Sequence, residues 1–123
     1  MKKVLIVEDH ADIRKLLRMT LEFDDFEIHE AADGAAGLAM ARELAPDIVL
    51  MDVMMPGPCS GLDACRLIKA DPALRHAKVI MLSALGQAQD RQRGQQAGAD
   101  DYLVKPFRTA EVLASIYRLE TAM

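Results

Sequence analysis

Residues Asp47 to Pro56 read Asp-Ile-Val-Leu-Met-Asp-Val-Met-Met-Pro. Within them, Ile48 to Met51 form an apolar run with no alternation of apolar and polar side chains. A strand with one buried face alternates, whereas a strand covered on both faces does not. This run therefore predicts a central strand of a parallel sheet, with helices packed above and below. The run stops at Asp52, and Pro56 and Gly57 break the chain soon after. A carboxylate at the C-terminal end of such a strand points into the crevice where open α/β sheets bind ligands. Taken alone, the same residue could equally be a solvated Asp at a strand end.

The rest of the chain supplies the other layers. Val4-Leu5-Ile6-Val7 is an apolar β run, and Ala11 to about Asp24 is helical, with Ile13, Leu16, Leu17, Thr20 and Leu21 on one stripe. Phe26 to Ala31 is a second strand, and the mix of Ile28 with Glu27, His29 and Glu30 predicts an edge position. Asp33 can cap a helix from Gly34 to about Leu44, which Pro46 ends. A third helix runs from Gly61 to about Asp71 with Leu62, Cys65 and Ile68 inward, and Lys78 to Ser83 is a fourth strand. Gln87 to about Ala97 predicts a weak helix, poorly anchored and with Gly94 inside it. One interior Gly costs about 1 kcal/mol against Ala. Asp101 to Val104 is a short fifth strand, and Thr109, as cap, starts a last helix to about Thr121 with Val112, Leu113, Ile116 and Leu119 buried.

Five β/α units with short connections imply a doubly wound parallel sheet with right-handed crossovers. In the order 2-1-3-4-5 this is the flavodoxin-like (βα)5 arrangement, whose crevice opens between strands one and three. The length of 123 residues suits one domain with one core, built from aliphatic side chains because only 4% of residues are aromatic. A net charge of -4 argues against a nucleic-acid surface, which needs a basic face. No apolar run approaches the roughly 20 residues that span a bilayer. Met1-Lys2-Lys3 leads straight into a strand without a signal-peptide core, so the cytoplasm is expected. Cys59 and Cys65 match no zinc spacing and are expected as free thiols.

The strand ends hold the chemistry. Strand one stops at Glu8-Asp9, strand three at Asp52, strand four at Ser83 and strand five at Lys105-Pro106. Three carboxylates crowded into one crevice repel one another and partly take up protons. A hard divalent cation resolves the conflict, and Mg²⁺ is commonly held by one or two carboxylates plus phosphoryl oxygens. A carboxylate can also attack phosphorus to form an acyl phosphate. The transferred group then carries charge on three oxygens, which a metal, the Lys105 ammonium and the Ser83 hydroxyl can each meet.

These pieces are Val-Leu-Ile-Val-Glu-Asp at 4–9, the 47–56 stretch, Ser83-Ala84, and Ala-Gly-Ala-Asp-Asp-Tyr-Leu-Val-Lys-Pro-Phe at 97–107. In this order the chain resembles the receiver domain of two-component response regulators over its whole length, a single domain covering 1–123. The resemblance implies that Asp52 is the phosphoacceptor, with Asp9 binding Mg²⁺ directly and Glu8 through water. Met54 would offer its backbone carbonyl to the metal, and Ser83 and Lys105 would contact the phosphoryl group. Tyr102 would turn inward when Ser83 is drawn to the phosphate, and the bond before Pro106 would be cis. The implied partners are a sensor histidine kinase or a phosphotransfer protein, and a downstream protein target or fused output domain. The face of helix four, strand five and helix five would repack, with homodimerisation on phosphorylation as one outcome. Neither direct nucleic-acid binding nor membrane association is expected, and no conventional turnover enzyme, only catalysis of its own phosphorylation and dephosphorylation.

One departure is the loop Gly-Pro-Cys-Ser-Gly after Pro56, which brings Gly61 about one residue later than the family spacing. His10 reads as a solvated loop residue within reach of the site, His29 and His76 as surface residues, and Cys59 as an unremarkable thiol. A flavin-binding electron carrier of the same topology would need a hydroxyl- and glycine-rich loop after strand one, where Glu8-Asp9 stand instead. A phosphatase with an Asp nucleophile would want a carboxylate at position 54, and a P-loop nucleotidase lacks its motif here. A receiver cut from a longer regulator, DNA-binding or a hybrid kinase, is the alternative to a stand-alone protein.

Overall fold

The interiors of the central strands are apolar on both faces, and the sheet uses both. A computed structural model describes residues 1–55 and 57–121, the side chain of residue 121 excepted. Pro56, expected as a chain breaker, lies outside the described residues. In chain order the elements are β1 Lys2–Val7, α1 Ala11–Leu21, β2 Phe26–Ala31, α2 Gly34–Leu44, β3 Ile48–Asp52, α3 Gly61–Ala70, β4 Lys78–Ser83, α4 Ala88–Gln96, β5 Asp101–Val104 and α5 Thr109–Thr121. The strands pair in parallel in the order β2-β1-β3-β4-β5. This is the flavodoxin-like sheet, with β2 at an edge as expected.

Alternate residues of the central strands go to opposite layers. Leu5, Val7, Val49, Met51, Val79 and Met81 face α2 and α3, packing on Leu38, Ala41, Ala64, Cys65 and Ile68. Val4, Ile6, Ile48, Leu50, Ile80 and Leu82 face α1 and α5, packing on Leu17, Leu21, Val112, Ile116 and Leu119. Each such fully buried aliphatic side chain is worth about 1.5–3 kcal/mol against exposure. All five residues of β3 are buried, which explains why its sequence does not alternate. No helix among the described residues is long and apolar enough to cross a membrane.

Local chemistry sets the helix ends. The Asp33 carboxylate accepts from Ala36 N–H at 2.7 Å at the start of α2, and Ala45 closes that helix in the left-handed region at φ 48, just before Pro46. Ser60 and Asp63 form a reciprocal capping box on α3.

Three expectations need correction. Leu16 is not part of the buried stripe of α1 but 44% exposed, because the face that meets the sheet is the narrower set Leu17, Thr20 and Leu21. The same helix stops at Leu21 rather than Asp24, whose backbone carbonyl and N–H join a turn with Phe26 and Leu21. Thr109 is the first helical residue of α5 and not its cap: the Val112 N–H donates to Arg108 O, and the Glu111 carboxylate accepts from Arg108 N–H at 2.9 Å.

Helix α4 is as weakly anchored as its sequence suggests, with Gly94 its one buried residue among those described. The glycine has a packing reason. A Cβ there would stand 2.9 Å from Tyr102 Cδ2, so the aromatic ring occupies the space that the missing side chain leaves.

Candidate functional site

Parallel pairing brings the C-terminal ends of β1, β3, β4 and β5 to one edge of the sheet. Val7 pairs with Met51, Asp52 with Leu82, and Ser83 with Val104. Glu8 follows β1 directly and is fully buried, its N–H tied to Ala31 O at 3.1 Å. Asp52 ends β3 and is 3% exposed. Lys105 follows β5, its N–H donating to Ser83 O at 2.7 Å. From there its ammonium donates to Glu8 Oε1 at 2.6 Å and stands 3.4 Å from Asp52 Oδ2. The Lys105–Pro106 bond is cis. One ligand atom from each of Glu8, Asp9, His10 and Asp52 lies within 4.8 Å of the others.

One ammonium cannot neutralise this many acids. Burial, then the hydrogen bond and charge of Glu8, push Asp52 up from 3.8 to about 7, with Lys105 pulling only part of the way back. Burial works against ionised Glu8 too, yet hydrogen bonds from Asp52 and Lys105 hold it at about 2. The asymmetry follows from geometry, since Lys105 is closer to Glu8. Lys105 itself is disfavoured by burial but held above its ordinary value by the Glu8 hydrogen bond and the Asp52 charge. The crevice thus favours the neutral form of Asp52 and the ion pair of Glu8 with Lys105.

Ser83 is fully buried at the end of β4, where its hydroxyl accepts from Leu85 N–H at 3.0 Å. Tyr102 is inward, its hydroxyl donating to Leu85 O at 2.6 Å. The Arg91 guanidinium lies 5.6 Å from the ring centroid and donates to Tyr102 O. The inward position expected only of the switched state is the one observed. Met54 donates its N–H to Asp52 Oδ1 at 3.2 Å, while its side chain is exposed.

The response regulator receiver domain family matches residues 4–117. The chain belongs to that family. Among curated proteins, this receiver domain is 43% identical over 95% of its length to the transcriptional regulatory protein ResD of Bacillus subtilis, covering 47% of that protein. It is 39% identical over 97% of its length to the DNA-binding dual master transcriptional regulator RpaA of Synechocystis sp., covering 49% of that protein. The receiver domain therefore spans about half the length of the curated relatives it matches. Among solved structures it is similar to the chemotaxis response regulator CheY4 of Vibrio cholerae, with a TM-score of 0.89 and 31% identity over 96% of this chain and 98% of that one. These relatives are signalling regulators rather than conventional enzymes.

Receiver domains generally bind Mg²⁺ at an acidic pocket, and the donors of this one fit. Glu8, Asp9 and Asp52 offer hard carboxylate oxygens. Asp9 Oδ1 is buried yet receives no hydrogen bond, a cost that a cation would remove.

Two features of the receiver site were not read from the sequence. Gly61, treated only as a shift in spacing, lies against β3: a Cβ there would stand 1.9 Å from Asp52 O, and its N–H donates to Val53 O at 3.0 Å. A glycine opening a helix right after the site loop was the signal for such close backbone approach. His10 turns its ring back to the acids, with Nδ1 3.2 Å from Asp9 Oδ1 and 3.5 Å from Glu8 Oε2. Cys59 lies in the loop beside the site. Burial, then Asp63 and Asp33, raise its thiol, which matches an unreactive cysteine.

Proposed function

We propose that this domain, one receiver unit over 1–123, is a phosphorylation-activated switch of a two-component phosphorelay, working in the cytoplasm. A sensor histidine kinase or a phosphotransfer protein presents a phosphohistidine. An Asp52 carboxylate oxygen forms the new bond to phosphorus as the phosphorus–nitrogen bond breaks. The observation that supports this best is the convergence on Asp52 of Glu8, Asp9 and the Lys105 ammonium, the last at 3.4 Å.

Mg²⁺ would be held by Asp9, Asp52 and the Met54 backbone carbonyl, with Glu8 acting through water. When bound it neutralises phosphoryl charge and favours the ionised Asp52 that the attack requires. Lys105 supplies a fixed positive charge, held in place by buried Glu8. The Ser83 hydroxyl leaves Leu85 N–H to meet a phosphoryl oxygen, moving the loop after β4 to which Tyr102 is bonded. The face of α4, β5 and α5 repacks in consequence, and α4 suits this because switch elements come from the least stable parts of a fold. Hydrolysis of the acyl phosphate resets the domain. Because the chain spans half of its relatives, a place within a longer regulator with a fused output domain is the reading of its output we favour.

The test is labelling with phosphorylated kinase, or with acetyl phosphate and Mg²⁺. Wild type should take up acid-stable, base-labile phosphate, and Asp52→Asn should take up none. Equal labelling of the two removes Asp52 from the chemistry.

A further inference from the structure

The ring nitrogen of His10 has no place in an all-oxygen magnesium site, yet it faces one. Nδ1 lies 3.2 Å from Asp9 Oδ1 and 3.5 Å from Glu8 Oε2. The shorter contact is not a hydrogen bond, since Asp9 Oδ1 has no donor partner. A nitrogen and an oxygen at this separation are spaced like two ligands of one ion. Adjacent corners of an octahedron with bonds of about 2.1 Å stand about 3.0 Å apart. The whole set of Glu8, Asp9, His10 and Asp52, within 4.8 Å, needs only modest tightening to share one cation. The His10 side chain is 65% exposed, so the ring has room to make that adjustment.

We propose that His10 Nδ1 is a nitrogen ligand of the cation site, selecting borderline divalent ions such as Co²⁺ and Ni²⁺ over Mg²⁺. Imidazole binds such metals well, whereas Mg²⁺ prefers oxygen and keeps its waters. The carboxylates alone serve Mg²⁺. With His10 added, the same pocket gains a donor that only the softer ions use. This rests on the acidic pocket being the cation site of the proposed switch.

Isothermal titration of the whole domain with MgCl₂, CoCl₂ and NiCl₂ separates the cases, run on wild type, His10→Ala, Asp9→Asn and His29→Ala. His10→Ala should weaken Co²⁺ and Ni²⁺ binding tenfold or more and change Mg²⁺ binding less than twofold. One equivalent of Co²⁺ should perturb the His10 ring resonances of the wild type before those of His29 and His76. His29→Ala, at the Glu27 pair on β2, should leave all three ions unaffected. If His10→Ala weakens all three ions by one factor, or none, His10 is not a selective ligand and the proposal falls. If wild type binds no Mg²⁺ and Asp9→Asn matches it, the cation site fails. Loss of Mg²⁺ binding in Asp9→Asn beside a silent His10→Ala overturns only the role of His10.

Discussion

The charge left uncompensated around Asp52 should be measurable as lost stability. Asp52 is displaced from 3.8 to about 7, chiefly by burial and by Glu8, a difference worth about 4 kcal/mol at 1.36 kcal/mol per pH unit. Between about pH 4 and pH 7 the unfolded chain has released this proton and the folded chain still holds it. Stability therefore falls as pH rises through that window, and levels off once both states are ionised. Asp52→Asn removes the titration, while its amide can still donate to Glu8 as the protonated acid does. Glu8 keeps its Lys105 partner at 2.6 Å in the variant, so the opposite contribution of Glu8 largely cancels from the comparison. From pH 5 to pH 8 the variant should gain about 3 kcal/mol on wild type, covering the two pH units below about 7. The assay is urea unfolding followed by circular dichroism at both pH values, with chelator present. A difference that does not change with pH, or a variant less stable than wild type at pH 8, refutes the reasoning.

Three further outcomes follow from the same geometry. Mg²⁺ binding to wild type should weaken about tenfold per unit as pH falls below 7 and release about one proton, because the metal needs ionised Asp52. Titration calorimetry in two buffers of different ionisation heat reads the proton directly. Gly61→Ala should cost about 3 kcal/mol or more and slow labelling of Asp52, since the Cβ would meet Asp52 O at 1.9 Å and backbone must move; urea unfolding and acetyl phosphate labelling check both. Gly94→Ala should displace the Tyr102 ring, 2.9 Å from the new Cβ, at a net cost of about 1–2 kcal/mol after the better helix propensity of Ala. Loss of ring-current shifts around Tyr102 in NMR spectra is the readout.

The fold was legible because its signals are local. Apolar runs such as Ile48 to Met51 and stripes such as Val112 and Ile116 specify both element type and buried face. The strand-end acids were legible for the same reason: once strand order is known, Glu8 and Asp52 must meet. Most of what escaped depends on packing between segments far apart in sequence. Leu16 shares the periodicity of Leu17, and only the packing of α1 on the sheet leaves it outside. Gly94 read as a weakness in α4, because nothing near it in sequence announces Tyr102. His10 read as a loop residue because the direction of its ring is set by backbone after β1, not by residue type.

The site and the proposed switch face draw on one conflict. A sheet edge that gathers Glu8, Asp9 and Asp52 against one ammonium is strained by its own charge, and helix packing on both faces supplies the stability that tolerates it. Replacing Asp52 would relieve that strain and remove the proposed nucleophile together, the usual trade between stability and activity. The same economy holds at the other end of the contact chain. Leu85 bonds both Ser83 Oγ and the Tyr102 hydroxyl, through its N–H and its carbonyl, so neither partner can move without disturbing the other. Tyr102 in turn rests on Gly94, in the helix with the least buried surface to hold it. If Asp52 is phosphorylated as proposed, the change of charge there meets its weakest resistance along Ser83, Leu85, Tyr102 and α4.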